Sequence, residues 1–145
     1  MKYRMTLDYA IPSGILTPYF DALAEGRALA SKCATCNHIA FPARTTCQRC
    51  PGQQINWIEL AGTANILIRT DGPTENFALV RFDGADTNST VALGIPEAQD
   101  GLATPRPQTP TDDGVLRGRL IRPPGAQPGL WLALLINNDE NDNER

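Results

Sequence analysis

Four cysteines are the residues in this chain whose spacing commits to a chemistry. They fall as Cys33-Ala34-Thr35-Cys36 and Cys47-Gln48-Arg49-Cys50, with ten residues between the pairs. A two-residue spacer lets one tight turn aim both sulfurs the same way. Two such turns joined by a short loop bring four thiolates onto one ion at about 2.3 Å. The pattern predicts a structural zinc ribbon with Cys33, Cys36, Cys47 and Cys50 as metal ligands. A rubredoxin-type iron site would use the same four sulfurs, so spacing leaves zinc and iron both open. Two disulfides would need an oxidising compartment, and Met1 to Asp8 holds no apolar run of a secretory signal. A thioredoxin-type site is one C-x-x-C at a helix start, not two facing pairs. His38 is the single histidine and sits two residues past Cys36. Four thiolates already complete the tetrahedron, so His38 is expected outside it. A closed shell also leaves no open position for a substrate, so catalysis at the ion is not expected.

The residues flanking the cysteines fit tight turns. Asn37 tolerates the left-handed backbone that often follows a C-x-x-C turn. Pro51 has no N–H to give a thiolate, so Gly52 is expected to supply both flexibility and donor there. No acidic residue lies between Glu25 and Glu59, whereas Arg27, Lys32, Arg44 and Arg49 do. That balance suits an anionic ligand such as a phosphate-bearing cofactor, and equally a solvated surface around a negative metal–thiolate centre. No nucleotide-binding glycine loop, nucleophile motif or Ser-His-Asp set accompanies it.

The elements that must position these residues follow from the rest of the chain, which reads as mainly β. Residues 1–26 form an N-terminal arm with one helix. Thr17 is the expected N-cap, Pro18 the first helical residue and Gly26 the C-terminal stop. Tyr19, Phe20, Leu23 and Ala24 would form its apolar stripe. So short a helix must dock, on this chain's own body or on a partner, and the apolar Tyr9, Ile11, Ile15 and Leu16 before it favour a partner. Residues 27–56 are the zinc ribbon, with Phe41-Pro42-Ala43-Arg44 between its turns.

Residues 57–136 carry strand patterns at Trp57–Leu60, Ala64–Thr70, Phe77–Phe82, Thr90–Leu93, Val115–Ile121 and Leu130–Ile136. Turn signals such as Asp83-Gly84 and Pro123-Pro124-Gly125 separate them, which suits a small barrel of OB type. Phe77–Phe82 reads as a strand covered on both faces, and Gly118 as a bend. The proline-containing stretch from Gly94 to Gly114 is expected to be a mobile loop. Residues 137–145 form an acidic tail expected to be disordered. Its last seven residues sum to −3, which is the whole formal net charge, so the body is neutral. The longest strongly apolar stretch, Leu130–Ile136, is too short to cross a membrane, and the chain is expected to be soluble and cytoplasmic.

Ribbons and OB barrels both serve in nucleic-acid adaptors, and that function is the alternative to weigh. It calls for a basic face and stacking aromatics. A pI near 5.1 and 6% aromatics argue against it, and Phe77 and Phe82 read more simply as core.

Several of these segments together resemble the acyl-CoA-associated family that joins a rubredoxin-like zinc ribbon to an OB-fold, the domain of unknown function thirty-five. They are the helix Tyr19-Phe20-Asp21-Ala22-Leu23, Gly26 with Leu29, the two C-x-x-C pairs, Phe41-Pro42-Ala43-Arg44 and Trp57-Ile58-Glu59-Leu60-Ala61-Gly62-Thr63-Ala64. The likeness is close over residues 18–93 and loose beyond. Pro42-Ala43 stands where the family more often has two prolines, and the loop before Val115 is longer than the family leads one to expect. The resemblance implies a non-catalytic accessory subunit of a thiolase-like enzyme: a thiolase, condensing enzyme or aldolase. It would stabilise that partner, as a heterotetramer, and shape acyl-CoA binding near the interface. On that footing Phe41 would bury against the partner or an acyl chain and Arg44 or Arg49 would meet CoA phosphates; the alternative is that Phe41 covers the metal or the barrel and both arginines are solvated. With the structural zinc expected from the cysteine spacing, and with neither a basic footprint nor a membrane-length apolar stretch, neither nucleic acid nor membrane is expected as partner.

Overall fold

In the computed structural model, the described residues are 1–8, 10–94, 115–125 and 129–135. Expectations for Tyr9, the loop after Gly94, Ile136 and the acidic tail at 137–145 lie outside them.

A 3₁₀ turn over Gly14–Leu16 runs directly into helix α1, Thr17–Ala24. Thr17 is therefore the first helical residue and not the cap. Its hydroxyl bonds back to the Gly14 carbonyl at 2.7 Å and meets Ser13 Oγ at 2.8 Å, which stabilises the preceding turn. The stop at Gly26 is as expected. Its φ of 75° is the left-handed conformation, and Gly26 N–H and Arg27 N–H donate to the carbonyls of Leu23 and Ala22. That is the Schellman pattern, which satisfies the last carbonyls of the helix. The buried face is Tyr19, Ala22 and Leu23, while Phe20 stays 47% exposed. The helix docks on this chain's own body, through Tyr19 against Phe41.

Next comes a three-stranded antiparallel sheet. Strand β1 (Ala28–Cys33) is flanked by β2 (Ile39–Ala40) and β3 (Ile55–Leu60). Trp57–Leu60, expected to open the barrel, instead belongs to the ribbon. Every residue of β3 pairs with β1, from Ala28 opposite Leu60 to Cys33 opposite Ile55. Its apolar pattern is that of any half-buried strand, and does not say which sheet receives it.

The five remaining strands are β4 (Thr63–Asp71), β5 (Asn76–Phe82), β6 (Asn88–Leu93), β7 (Leu116–Ile121) and β8 (Trp131–Leu134). They close into a barrel in the order β4-β5-β6-β8-β7, an OB-like arrangement whose one parallel pair is β6 with β8. A bulge between Ile66 and Ile68 bends β4, as barrel closure commonly requires. β5 alternates cleanly: Ala78, Val80 and Phe82 point inward and are buried, and Phe77 and Arg81 are exposed. It is thus covered on one face, not two. Gly118 is less a bend than a space. A Cβ there would lie 2.3 Å from Leu132 Cδ2, so the bare backbone lets that leucine fill the barrel.

Sheet and barrel are joined at Phe41. Its ring is fully buried, with edge contacts to Tyr19 at 6.0 Å and to Phe82 at 4.6 Å between centroids. Its N–H donates to Thr87 Oγ1 at 3.0 Å. Its carbonyl accepts from the hydroxyls of Thr87 and Ser89 at 3.0 and 2.6 Å. Beside it, Ile39 and Asp86 exchange two further bonds of 2.8 and 2.9 Å. The ribbon strand between the cysteine pairs is thereby bonded onto the β5–β6 turn of the barrel. Among the described residues no helix is long and apolar enough to cross a membrane.

Candidate metal centre

β1 delivers Cys33 at its last residue, and the turn that follows carries Cys36. Asn37 closes that turn with φ 60°, and its N–H returns to the Cys33 carbonyl at 3.0 Å. The second pair sits in the loop between β2 and β3. Here the thiols receive backbone donors: Arg49 N–H to Cys47 Sγ at 3.3 Å, and Gly52 N–H to Cys50 Sγ at 3.4 Å. Gly52 thus supplies the expected donor. It is not left-handed, however, and its glycine is needed for room. A Cβ would stand 3.0 Å from Cys33 Sγ and 3.2 Å from Cys50 Sγ.

The four sulfurs converge. All lie within 4.8 Å of one another, and Cys33–Cys50 and Cys36–Cys47 are each 3.6 Å apart. Tetrahedral thiolates at about 2.3 Å from zinc would be about 3.8 Å apart, so the residues fit the ion. All four cysteines are free thiols, which excludes the disulfide reading for this arrangement. Backbone donors from Cys36 and Thr35 lower the Cys33 pKa to about 6. Cys47 is lowered too, chiefly by the Arg49 amide. At Cys50 the Gly52 amide lowers the pKa, but the neighbouring Cys36, Cys33 and Cys47 sulfurs together with burial raise it to about 12. Crowded thiolates cannot all ionise without a cation among them, which is the electrostatic case for a metal here. The four cysteines are thus placed to hold one metal ion.

His38 is not part of it. Its Nδ1 is buried without a hydrogen bond and lies 3.7 Å from Asp86 Oδ2. Arg44 and Arg49 are exposed and make no ion pair among the described residues; Arg44 uses its backbone N–H on Ser31 Oγ at 2.9 Å. Arg27, by contrast, is held between Glu25 and Glu59 at 2.8 and 3.4 Å. Phe41 has no exposed surface within this chain and is seated between Tyr19 and Phe82, which matches its alternative reading as a ring that covers the barrel. Its work is to join ribbon and barrel, and the polar residues that complete the joint (Asp86, Thr87, Ser89) carry no sequence signal of that role.

The ChsH2, rubredoxin-like zinc ribbon domain family matches residues 20–55. Over those residues the chain is similar to that zinc ribbon domain. The match takes in α1 from Phe20, both C-x-x-C turns and the first residue of β3. Solved structures extend the likeness across the barrel. One is the crystal structure of a DUF35-family protein of unknown function from Sulfolobus solfataricus, at 19% identity and TM-score 0.53, covering 81% of this chain and 82% of that one. Another is a chain of the Ltp2-ChsH2(DUF35) aldolase, at 19% identity and TM-score 0.54, covering 88% and 98%. At that identity the likeness establishes the fold alone: a rubredoxin-like ribbon followed by an OB-like barrel. No curated protein matches the chain.

Proposed function

We propose that this chain is a non-catalytic accessory subunit of a thiolase-like acyl-CoA enzyme complex. The observation that carries the reading is the fold match along nearly the whole ChsH2(DUF35)-type chain of an aldolase that is named as a pair. The chemistry of this chain supports it. Cys33, Cys36, Cys47 and Cys50 would hold one zinc, and four protein thiolates leave that ion no open position for a reaction. The ion's contribution is a fixed fold for the loop, not a Lewis acid. The nucleophile and acid/base groups then belong to the partner subunit, in a heterotetramer with acyl-CoA near the interface. Reduced thiolates of this kind belong in a reducing compartment, the cytoplasm.

Within this reading we assign Arg44 and Arg49, two exposed cations beside the metal loop without an ion pair among the described residues, to CoA phosphates. A guanidinium gives phosphate a charge-assisted, two-point contact. The first test is purification of the tagged chain from native lysate with mass spectrometry of what co-elutes. A thiolase-like, condensing or aldolase subunit in near-equal amount supports the reading. Recovery of nucleic acid and ribosomal proteins instead overturns it. With the complex in hand, Arg44→Ala and Arg49→Ala should each weaken acyl-CoA binding at least fivefold; unchanged affinity in both removes the phosphate assignment while leaving the subunit reading intact.

A further inference from the structure

The barrel carries a second site that the metal centre does not use. A groove of about 500 Å³ opens on the outer surface where β5, β6 and the start of β8 meet the β4–β5 turn. That volume falls within the roughly 300–1,000 Å³ of small-molecule sites. Its floor is one aligned row: Phe77 pairs with Ala92, and Ala92 with Trp131. Phe77 is 41% exposed, although Ala78 next to it is buried, and Trp131, across Ala92 on the same row, is half-buried. Two aromatic faces thus lie open on the side of the barrel, at the strands and loops where OB-folds take their ligands.

Charge decides the class of ligand. Among the described lining residues Glu75 is the one ionisable side chain, and no cation is present. Oligonucleotides need cations along the groove that tracks their backbone, and the described lining residues offer none. An anionic head would meet the Glu75 carboxylate instead. The remaining polar groups, such as Thr90, are neutral. We infer that this groove binds an uncharged lipophilic molecule, a ring system or chain laid across Phe77 and Trp131. The inference does not rest on the accessory-subunit reading, because it follows from the lining of the barrel alone.

Two fluorescent probes share one ring skeleton and differ in charge. N-phenyl-1-naphthylamine is neutral, and 1-anilinonaphthalene-8-sulfonate carries a sulfonate. Titrated onto the zinc-loaded full chain carrying Trp57→Phe, the neutral probe should bind saturably, one per chain, and quench Trp131. The sulfonate should bind at least tenfold more weakly, and Glu75→Gln should narrow that gap. Phe77→Asn and Thr90→Arg change outward side chains, so each should weaken the neutral probe at least tenfold with an unchanged melting temperature. Four results would each overturn the inference. They are no saturable binding, equal affinity for the two probes, wild-type binding by the folded Thr90→Arg chain, and displacement of the probe by a single-stranded oligonucleotide.

Discussion

Phe41→Ala tests the joint between ribbon and barrel most directly. The ring is fully buried and touches Tyr19 and Phe82 by its edges. Truncating such a phenylalanine costs about 3–5 kcal/mol, as lost transfer energy plus the cavity left behind. The site has little room to collapse, because the backbone on either side is held by Thr87, Ser89 and Asp86. The upper half of that range is therefore expected. At about 2–4 °C per kcal/mol for a chain near this size, melting should fall by roughly 8–20 °C. Phe41→Leu keeps most of the apolar volume and should cost about 1–2 kcal/mol, by about 0.8 kcal/mol for each lost methylene-sized group. The assay is thermal and urea unfolding of the zinc-loaded chain, with bound zinc counted before and after. A fall below about 2 °C for Phe41→Ala, with partner or acyl-CoA affinity lost, would place the ring on a working surface and refute the reasoning.

Three further outcomes follow from the same geometry. Elemental analysis of the reduced chain should find one zinc, and Cys33→Ser or Cys47→Ser should abolish it; chelation should then expose the amides of β1 and β2 to hydrogen exchange, since a structural zinc supplies roughly 10–16 kcal/mol of its loop's folding. Gly52→Ala keeps the N–H donor but sets a methyl 3.0 Å from Cys33 Sγ, so zinc should transfer to a competing chelator at least tenfold faster, while the barrel keeps its thermal transition. The third outcome concerns pH. Arg117, by hydrogen bond first, and Thr63 hold the Asp83 pKa below its ordinary value. The unfolded chain then binds the proton more readily, so this pair stabilises the fold above about pH 4 and stops doing so as pH falls through the lower folded value. With side chains 36% and 38% exposed the effect should stay under about 1 kcal/mol, seen as a shallower acid limb of stability in Arg117→Met.

The parts of this protein that were legible in its sequence are those set by local chemistry. Two C-x-x-C pairs define a metal site because four sulfurs on two tight turns have few other uses. Asn37 and Gly26 announce left-handed backbone, and both adopt it. Alternation and turn residues place β4 to β8 within a residue or two. What stayed hidden is long-range. Trp57–Leu60 looks the same whether it pairs with a barrel strand or with β1. Thr17 looks like a cap until a 3₁₀ turn precedes it. Phe41, in an exposed-looking loop between metal ligands, is buried only because residues more than forty positions away bond its backbone. Phe77 errs the other way: its apolar character suggests core, and the register of β5 turns it outward.

These long-range contacts alter what the metal is for. β2 and Phe41 lie between the two cysteine pairs, and that same stretch is bonded to Asp86, Thr87 and Ser89 on the barrel. An ion that clamps both turns therefore shortens the free loop on each side of the joint, and lowers the entropy that Phe41 must overcome to stay docked. Helix α1 depends on the same ring through Tyr19, and its end is tied back by Arg122 donating to the Ala24 carbonyl at 2.8 Å. Metal, ring and helix thus form one mechanical unit. Zinc loss should consequently be read at Tyr19 and in the barrel turn at 86–89, not at the cysteines alone. If metal removal left hydrogen exchange at Phe41, Thr87 and Ser89 unchanged, the ribbon would be an independent module, and the coupling argued from those bonds would fail.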